Sequence, residues 1–255
     1  MLELRRQVIG SRTLHVVVTE RADGDQRPDR DSSIGGSGSG ANAARVNLQR
    51  TLTGHVWSMA AEEHGVAVVD VDAEGARTGC DPHATVPMLP PGDVLVTTQA
   101  DRALSVWAGD CAPLVLCGAN GTLVAAHAGW RGLAEGVIDV AVDELAKRDD
   151  HSVAAVLGPC IHAECYEFGV VDLAAVAGGV GADVDRIARS TADGRTRLDV
   201  PAAVAAALAR RGIGLDVVGP CTSCDERWFS HRARRDDGRH AVVAWTTATT
   251  GTTAG

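Results

Sequence analysis

Aromatic residues are scarce in this chain: two Phe, one Tyr and five Trp among 255 residues. A core built on stacked rings is excluded, so Ala, Val and Leu must fill the interior. Basic residues are in deficit, with 24 Lys and Arg against 33 Asp and Glu and a formal net charge of −9. Nucleic acids and anionic membrane surfaces are bound through a basic face, so this balance argues against both and favours small ligands. No apolar run approaches the ~20 residues of a membrane span. Met1 to Arg6 has no basic stretch leading into a long apolar one, and a cytoplasmic protein is expected. Seven cysteines, an odd number, suit a reducing compartment where thiols bind metal or lie buried rather than forming a disulfide framework.

A chain of this length can bury a sizeable core, and apolar segments recur from end to end, which predicts a single catalytic domain over 1–255. Val8-Ile9 and Leu14 to Val18 read as an opening pair of strands. Residues 22–40, rich in Asp, Arg, Ser and Gly, are expected to form a mobile loop. A helix is expected over 41–51, and strands over 66–71, 94–98, 104–107, 115–117, 123–127 and 153–157. Leu133, Val137, Val140, Ala141 and Leu145 recur at helical spacing and predict one amphipathic helix over 132–147. The Ala-rich stretch 200–211 predicts another, opening near Pro201 and closing at Gly212. Strands over 215–218 and 241–245 close the pattern, and 246–255 reads as a disordered tail. Many strands in mixed order with a few helices give an α+β class.

The chemistry concentrates in Asp110-Cys111-Ala112-Pro113 and His127-Ala128-Gly129-Trp130-Arg131-Gly132. Two apolar runs around Gly118-Ala119-Asn120-Gly121 join them as a hairpin, which can bring Cys111 and His127 together. An isolated Cys or His on a strand is more often core filler than chemistry. Here Gly129 and Gly132 flank Trp130-Arg131 at a strand-to-helix turn, a costly arrangement that marks a site. The pair suits either a metal centre or a nucleophile with its base.

These blocks resemble a bacterial family named for multicopper polyphenol oxidation, or laccase, and since reassigned as zinc-dependent purine nucleoside phosphorylases. The resemblance runs from about residue 55 to 245. It includes Gly92-Asp93-Val94-Leu95-Val96-Thr97, His64-Gly65, Gly158-Pro159-Cys160-Ile161 with Tyr166-Glu167, Cys221-Thr222, Phe229-Ser230-His231-Arg232 and Gly238-Arg239. It implies a central β-sandwich of mixed sheets flanked by helices, and metal ligation by His64, Cys111 and His127. Two imidazoles and one thiolate suit zinc, and three protein ligands leave a fourth position open for water or substrate. Multicopper oxidation, by contrast, consumes about ten histidines, many in His-X-His pairs. The chain has nine, no two of them spaced by one residue, so the copper reading fails on ligand count.

The implied reaction is phosphorolysis of adenosine or inosine to base and ribose 1-phosphate, with adenosine deamination as a further activity. Phosphate needs a cationic holder. Arg131, at a helix start, is the first candidate, followed by Arg232 and Arg239. A solvated basic loop is an equal reading for Arg232 and Arg239. Two other chemistries fit the same residues: a hydrolase using Cys111 and His127 on an amide of cell-wall precursors, and a zinc-binding member that has lost turnover. Cys221-Thr222-Ser223-Cys224 has the spacing of a redox pair or of half a structural zinc site, whose other half can come from Cys160 and Cys165. The chain departs from the family pattern in its first quarter. There it has Glu20-Arg21 without a following Gly-Gly-Val-Ser loop, Asn47-Leu48 for Asn-Arg with Arg50 as a stand-in, and Glu62 for glutamine; near the other end it has His231 for tyrosine.

Overall fold

Period-two alternation along the Cys111–His127 hairpin sets the layers of the fold. The computed structural model describes residues 1–27, 39–78, 88–149, 151–190 and 194–249. Its strands are β1 (Leu2–Ile9), β2 (Arg12–Val18), β3 (Trp57–Ala60), β4 (Val68–Asp70), β5 (Met88–Leu89), β6 (Val94–Thr97), β7 (Ala103–Ala108), β8 (Ala112–Gly118), β9 (Leu123–Ala128), β10 (Ser152–Leu157), β11 (Ala188–Ser190), β12 (Thr196–Leu198), β13 (Val217–Val218) and β14 (His240–Ala248). Its helices are α1 (Ser39–Thr53), α2 (Val71–Thr78), α3 (Trp130–Glu135), α4 (Val137–Ala146), α5 (Val170–Val180), α6 (Val184–Ile187), α7 (Val200–Arg210) and α8 (His231–Arg234).

Two mixed six-stranded sheets, ordered β1-β2-β14-β7-β3-β5 and β13-β10-β8-β9-β6-β4, pack face to face. In β8 and β9, Leu114, Leu116, Val124 and Ala126 point toward Leu133, Val137 and Val204 of the covering helices. Their neighbours Val115, Cys117, Leu123 and Ala125 point the other way, against Val16, Leu104, Val106 and Val242 of the first sheet. Leu52 of α1 packs on the outer face of that sheet, over Trp57 and Met59. The expected α+β class and central sandwich are both met. Each Leu or Val fully removed from water contributes about 1.5–3 kcal/mol, so an aliphatic interior can replace rings. No helix among the described residues is long and apolar enough to cross a membrane.

Two expectations are corrected, and a third lies largely outside the described residues. The helix over 132–147 is two helices: α3 and α4 meet at Gly136, whose φ of +87° is a left-handed conformation that ends one helix and turns the chain into the next. The tail does not begin at 246, because β14 continues to Ala248, opposite Arg12, and Thr249 N–H donates to Ser11 O at 2.8 Å. Residues 250–255 lie outside the described residues. Of the expected loop 22–40, residues 28–38 also lie outside them. Arg21–Asp23 forms a 3-10 turn, Gln26 is buried with its amide donating to Asp23 O and Gly24 O, and α1 opens at Ser39.

His240 opens β14 fully buried, with Nε2 3.4 Å from Pro159 O and its ring edge-on to Trp228. Its Nδ1 has no partner among the described residues, and burial lowers its pKa from 6.5 to about 4. The unfolded chain therefore binds this proton more readily than the folded one. Stability that is complete above pH ~6.5 should fall by about 3 kcal/mol as pH drops to about 4. Urea unfolding across that window should show this loss in the wild type, and a correspondingly shallower one in His240→Gln.

Candidate metal centre and its cavity

Cys111 stands immediately before β8 and His127 is the penultimate residue of β9. The antiparallel register sets Pro113 opposite His127 and Ala112 opposite Ala128, so both side chains come to the same end of the sheet. His64 arrives from the turn after β3 with φ +64°, a left-handed conformation that a non-glycine residue keeps only with outside support. Asp93, just before β6, supplies it. Its buried carboxylate accepts the backbone N–H groups of Glu63 at 3.3 Å, His64 at 3.0 Å and Gly65 at 2.8 Å. The same carboxylate lies 2.8 Å from His127 Nδ1, which leaves Nε2 as the nitrogen available to a metal. One carboxylate thus orients two of the three candidate ligands.

The ligand atoms of His64, Cys111 and His127 all lie within 4.8 Å of one another, with Cys111 Sγ 3.7 Å from His64 Nε2. A Cβ on Gly129 would stand 2.6 Å from His64 Cδ2 and 3.4 Å from Cys111 Sγ, so any side chain there would displace the His64 ring. Two imidazoles and a thiol around a space kept clear by glycine fit zinc.

Burial pushes the Cys111 thiol up, but the neighbouring His127 and His64 imidazoles outweigh it and bring it down to about 6. His127 moves the opposite way: burial lowers it, and Glu62, Cys111 and Asp93 together raise it well above the ordinary imidazole value. Burial dominates at Glu62, opposed by His127, and lifts its carboxyl to about 8. Glu62 Oε2 lies 3.6 Å from His127 Nε2, and Oε1 accepts the Trp107 N–H at 2.9 Å. A site that pairs a thiolate with a protonated imidazole exchanges that proton readily for a cation.

Asp110 organises the opposite wall. Its Oδ1 accepts the hydroxyls of Thr222 and Ser230, both at 2.7 Å, and its Oδ2 accepts the Arg232 N–H at 2.6 Å. These bonds tie the residue next to Cys111 to the segment carrying Arg232. A cavity of about 910 Å³ opens over the three ligands, at the upper end of the volumes that small-molecule sites occupy. Tyr166, His231, Arg232 and Arg239 line it. The Arg232 guanidinium lies 4.9 Å from the Tyr166 ring centroid. The Arg239 stem crosses Gly109, while Nη1 donates to the carbonyls of Asp236, Asp237 and Gly238.

Arg131 is exposed on α3 with its guanidinium 4.6 Å over the Trp130 ring, and it is not among the cavity-lining residues. Of the departures in sequence, Glu62 and His231 both line the cavity. Arg21 holds Asp236 through two bonds of 2.5 and 3.2 Å, and Asp236 in turn accepts the Ser230 N–H. Arg50 is exposed near the end of α1, outside the lining. Sequence reasoning assigned no role to Asp93 or Asp110, although both stand inside quoted blocks. Asp93→Asn keeps the shape and removes the charge. It should weaken zinc binding about 10- to 100-fold, as read by competition with a chromophoric chelator.

Fold and donor set define a class: an α+β protein with a central β-sandwich and a mononuclear two-histidine, one-cysteine candidate centre at one sheet end. The chain belongs to the multi-copper polyphenol oxidoreductase laccase family, matching it over residues 15–247. It is 34% identical over 194 residues to the purine nucleoside phosphorylase of Xylella fastidiosa, covering 71% of this chain and 69% of that protein. To the purine nucleoside phosphorylase of Mycobacterium tuberculosis it is 32% identical over 242 residues, covering 90% of each. The fold is similar to crystal structures of a Neisseria meningitidis protein, with a TM-score of 0.75, 23% identity and 96% of this chain and 98% of that one covered, and of a Bacillus licheniformis hypothetical protein, with a TM-score of 0.72, 23% identity and 91% and 92% covered. Among the described residues, one donor cluster holds two imidazoles and the other none, short of the imidazole-rich set that multicopper oxidation uses.

Proposed function

We propose that this chain is a zinc-dependent purine nucleoside phosphorylase that cleaves adenosine or inosine with phosphate to give free base and ribose 1-phosphate. The observation that carries the reading is the His64, Cys111 and His127 donor set at the foot of a cavity whose wall bears Arg232 and Arg239. The names of the relatives support the substrate class, a purine nucleoside with phosphate. Zinc held by these three residues would supply a Lewis acid with one position left for a substrate atom.

The remaining roles belong to the chain. Phosphorolysis breaks the bond between C1′ and the base nitrogen, forms a bond from C1′ to a phosphate oxygen, and sends the departing electron pair to the base through an oxocarbenium-like state, the base taking up the proton that the phosphate gives up. Arg232 and Arg239 hold the phosphate, because a guanidinium meets two phosphate oxygens at once. Tyr166 offers the cavity an aromatic face for the nucleoside. Asp93 fixes the imidazoles, and Asp110 fixes the wall that carries Arg232. Arg131, the first phosphate candidate from sequence, enters the tests as a comparison.

A second reading has one observation in its favour: the Cys111 thiol, brought down to about 6 beside two imidazoles, resembles an activated nucleophile. A thiolate committed to a metal is a poor free nucleophile, so metal separates the two. Purified protein should be given inosine or adenosine, with and without phosphate, and scored for free base, ribose 1-phosphate and deaminated nucleoside. Phosphate-dependent release of base is the expected result. Equal rates without phosphate would remove the phosphorylase reading, deamination alone would leave only the secondary activity, and no turnover by zinc-loaded protein would leave a binding protein.

A further inference from the structure

Three more cysteines converge outside the cavity described above. Cys221 and Cys224 belong to the Cys-X-X-Cys turn before Trp228, and Cys165 to the segment leading into Tyr166. Their Sγ atoms all lie within 4.8 Å of one another, with Cys165 and Cys224 3.3 Å apart. The backbone N–H of His162 donates to Cys221 Sγ at 3.4 Å, a bond that favours the sulfur carrying negative charge. Glu164 adds an oxygen donor: its Oε1 is 3.7 Å from Cys224 Sγ and 3.8 Å from His162 Nδ1. Cys160 is not part of this cluster. It pairs with Cys221 through the backbone, and its side chain is fully buried in the hydrophobic core.

We propose that Cys165, Cys221 and Cys224, completed by Glu164, form a second metal site for a soft divalent cation of the zinc class, separate from the His64, Cys111 and His127 centre. Zinc at ~2.3 Å from each sulfur sets tetrahedral sulfurs about 3.8 Å apart. Cys165 and Cys224 at 3.3 Å are tighter than this, and Cys221 Sγ lies within 4.8 Å of both. A disulfide between Cys165 and Cys224 would use two of these thiols and leave the third sulfur and the Glu164 carboxylate without a purpose. A metal uses all three sulfurs, and the exposed Glu164 carboxylate, 3.7 Å from Cys224 Sγ, has the freedom to turn in as the fourth ligand.

The site has a structural role. A cation there cross-links residues 162–165 to residues 221–224. Each of those segments runs directly into the cavity: Tyr166 lines it, and Thr222 holds the Asp110 carboxylate beside Cys111. The second metal therefore staples the cavity wall from behind and takes no part in bond breaking. The proposal does not rest on the phosphorylase reading.

Metal content decides it. The full chain, purified with a phosphine reductant, loaded with zinc and dialysed, should hold about two zinc ions. Cys111→Ser and Cys224→Ser should each hold about one, and the double variant none. Cys224 is exposed, so its replacement leaves the core intact, and circular dichroism checks this. A second measurement needs no variant: zinc should slow alkylation of Cys165 and Cys224 in the wild type by at least about tenfold, and a chelator should restore it. One zinc that Cys224→Ser loses and Cys111→Ser keeps would support this site and remove the other. One zinc that Cys111→Ser loses, equal alkylation rates with and without zinc, or a Cys165–Cys224 disulfide two hydrogens lighter that persists in reductant would each overturn the proposal.

Discussion

Cys111→Ser is expected to abolish zinc binding at the His64 and His127 centre and to lower nucleoside phosphorolysis by more than the roughly 10- to 100-fold that loss of an outer partner of a metal ligand costs. Serine has nearly the shape of cysteine, but its hydroxyl is not ionised near neutrality and is a poor partner for a soft cation. His64→Ala should give the same loss by a different route, since His64 sits on a turn outside the core and the residue behind its position, Asp93, stays bonded to the backbone. Neither change touches the Leu114, Leu116, Val124 and Ala126 layer, so thermal unfolding of the metal-free forms should differ little from that of the metal-free wild type. Chelation separates this outcome from thiol hydrolysis. A phosphorylase that needs zinc stops when zinc is removed and recovers when it is returned. A Cys111–His127 hydrolase would gain activity on chelation, because its nucleophile is released. Restoration by zinc of wild-type activity, but not of Cys111→Ser, is the pair of results that assigns the centre.

The hairpin and the convergence of Cys111 with His127 were legible because each follows from short-range pattern: alternation fixes which face a strand residue takes, and a four-residue turn fixes which residues end up opposite; the sandwich came through the resemblance. His64 was legible only through resemblance. It lies 47 residues before Cys111, in a turn whose left-handed conformation depends on Asp93, and no local periodicity encodes a contact made across two sheets. Asp93 and Asp110 were overlooked for the same reason, since an aspartate before a strand reads locally as a turn residue. The break at Gly136 was missed because the apolar stripe from Leu133 to Leu145 continues through it. The period survives a turn that buries both helices on one core. His162 carried no signal in sequence, and its contribution to the thiol cluster is a backbone N–H, which any residue type supplies.

Arg232→Ala is expected to raise the KM for phosphate about ten- to hundredfold, the equivalent of losing one charge-assisted hydrogen-bonded anchor, while Arg131→Ala leaves it near the wild-type value. Arg232 and Arg239 on the cavity wall are not equivalent. Arg239 Nη1 is already occupied by the carbonyls of Asp236, Asp237 and Gly238, so its replacement should also loosen that loop and lower stability. Arg232 is exposed, its backbone N–H held by Asp110 and its guanidinium hydrogen-bonded to Tyr166, whose ring it overlies, with no backbone carbonyl tied to it as at Arg239 among the described residues. Its replacement should therefore act on phosphate with little effect on folding. Arg232→Lys keeps the charge but loses the planar fork, and should fall between the wild type and Arg232→Ala. A guanidinium that binds phosphate equally in the ground and transition states raises KM when removed and leaves kcat nearly unchanged; one that grips the phosphate more tightly as the bond to C1′ forms lowers kcat as well. Initial rates at varied phosphate and saturating inosine separate these cases. An unchanged phosphate KM in Arg232→Ala, with a raised one in Arg131→Ala, would move the phosphate site from the cavity wall to the start of α3.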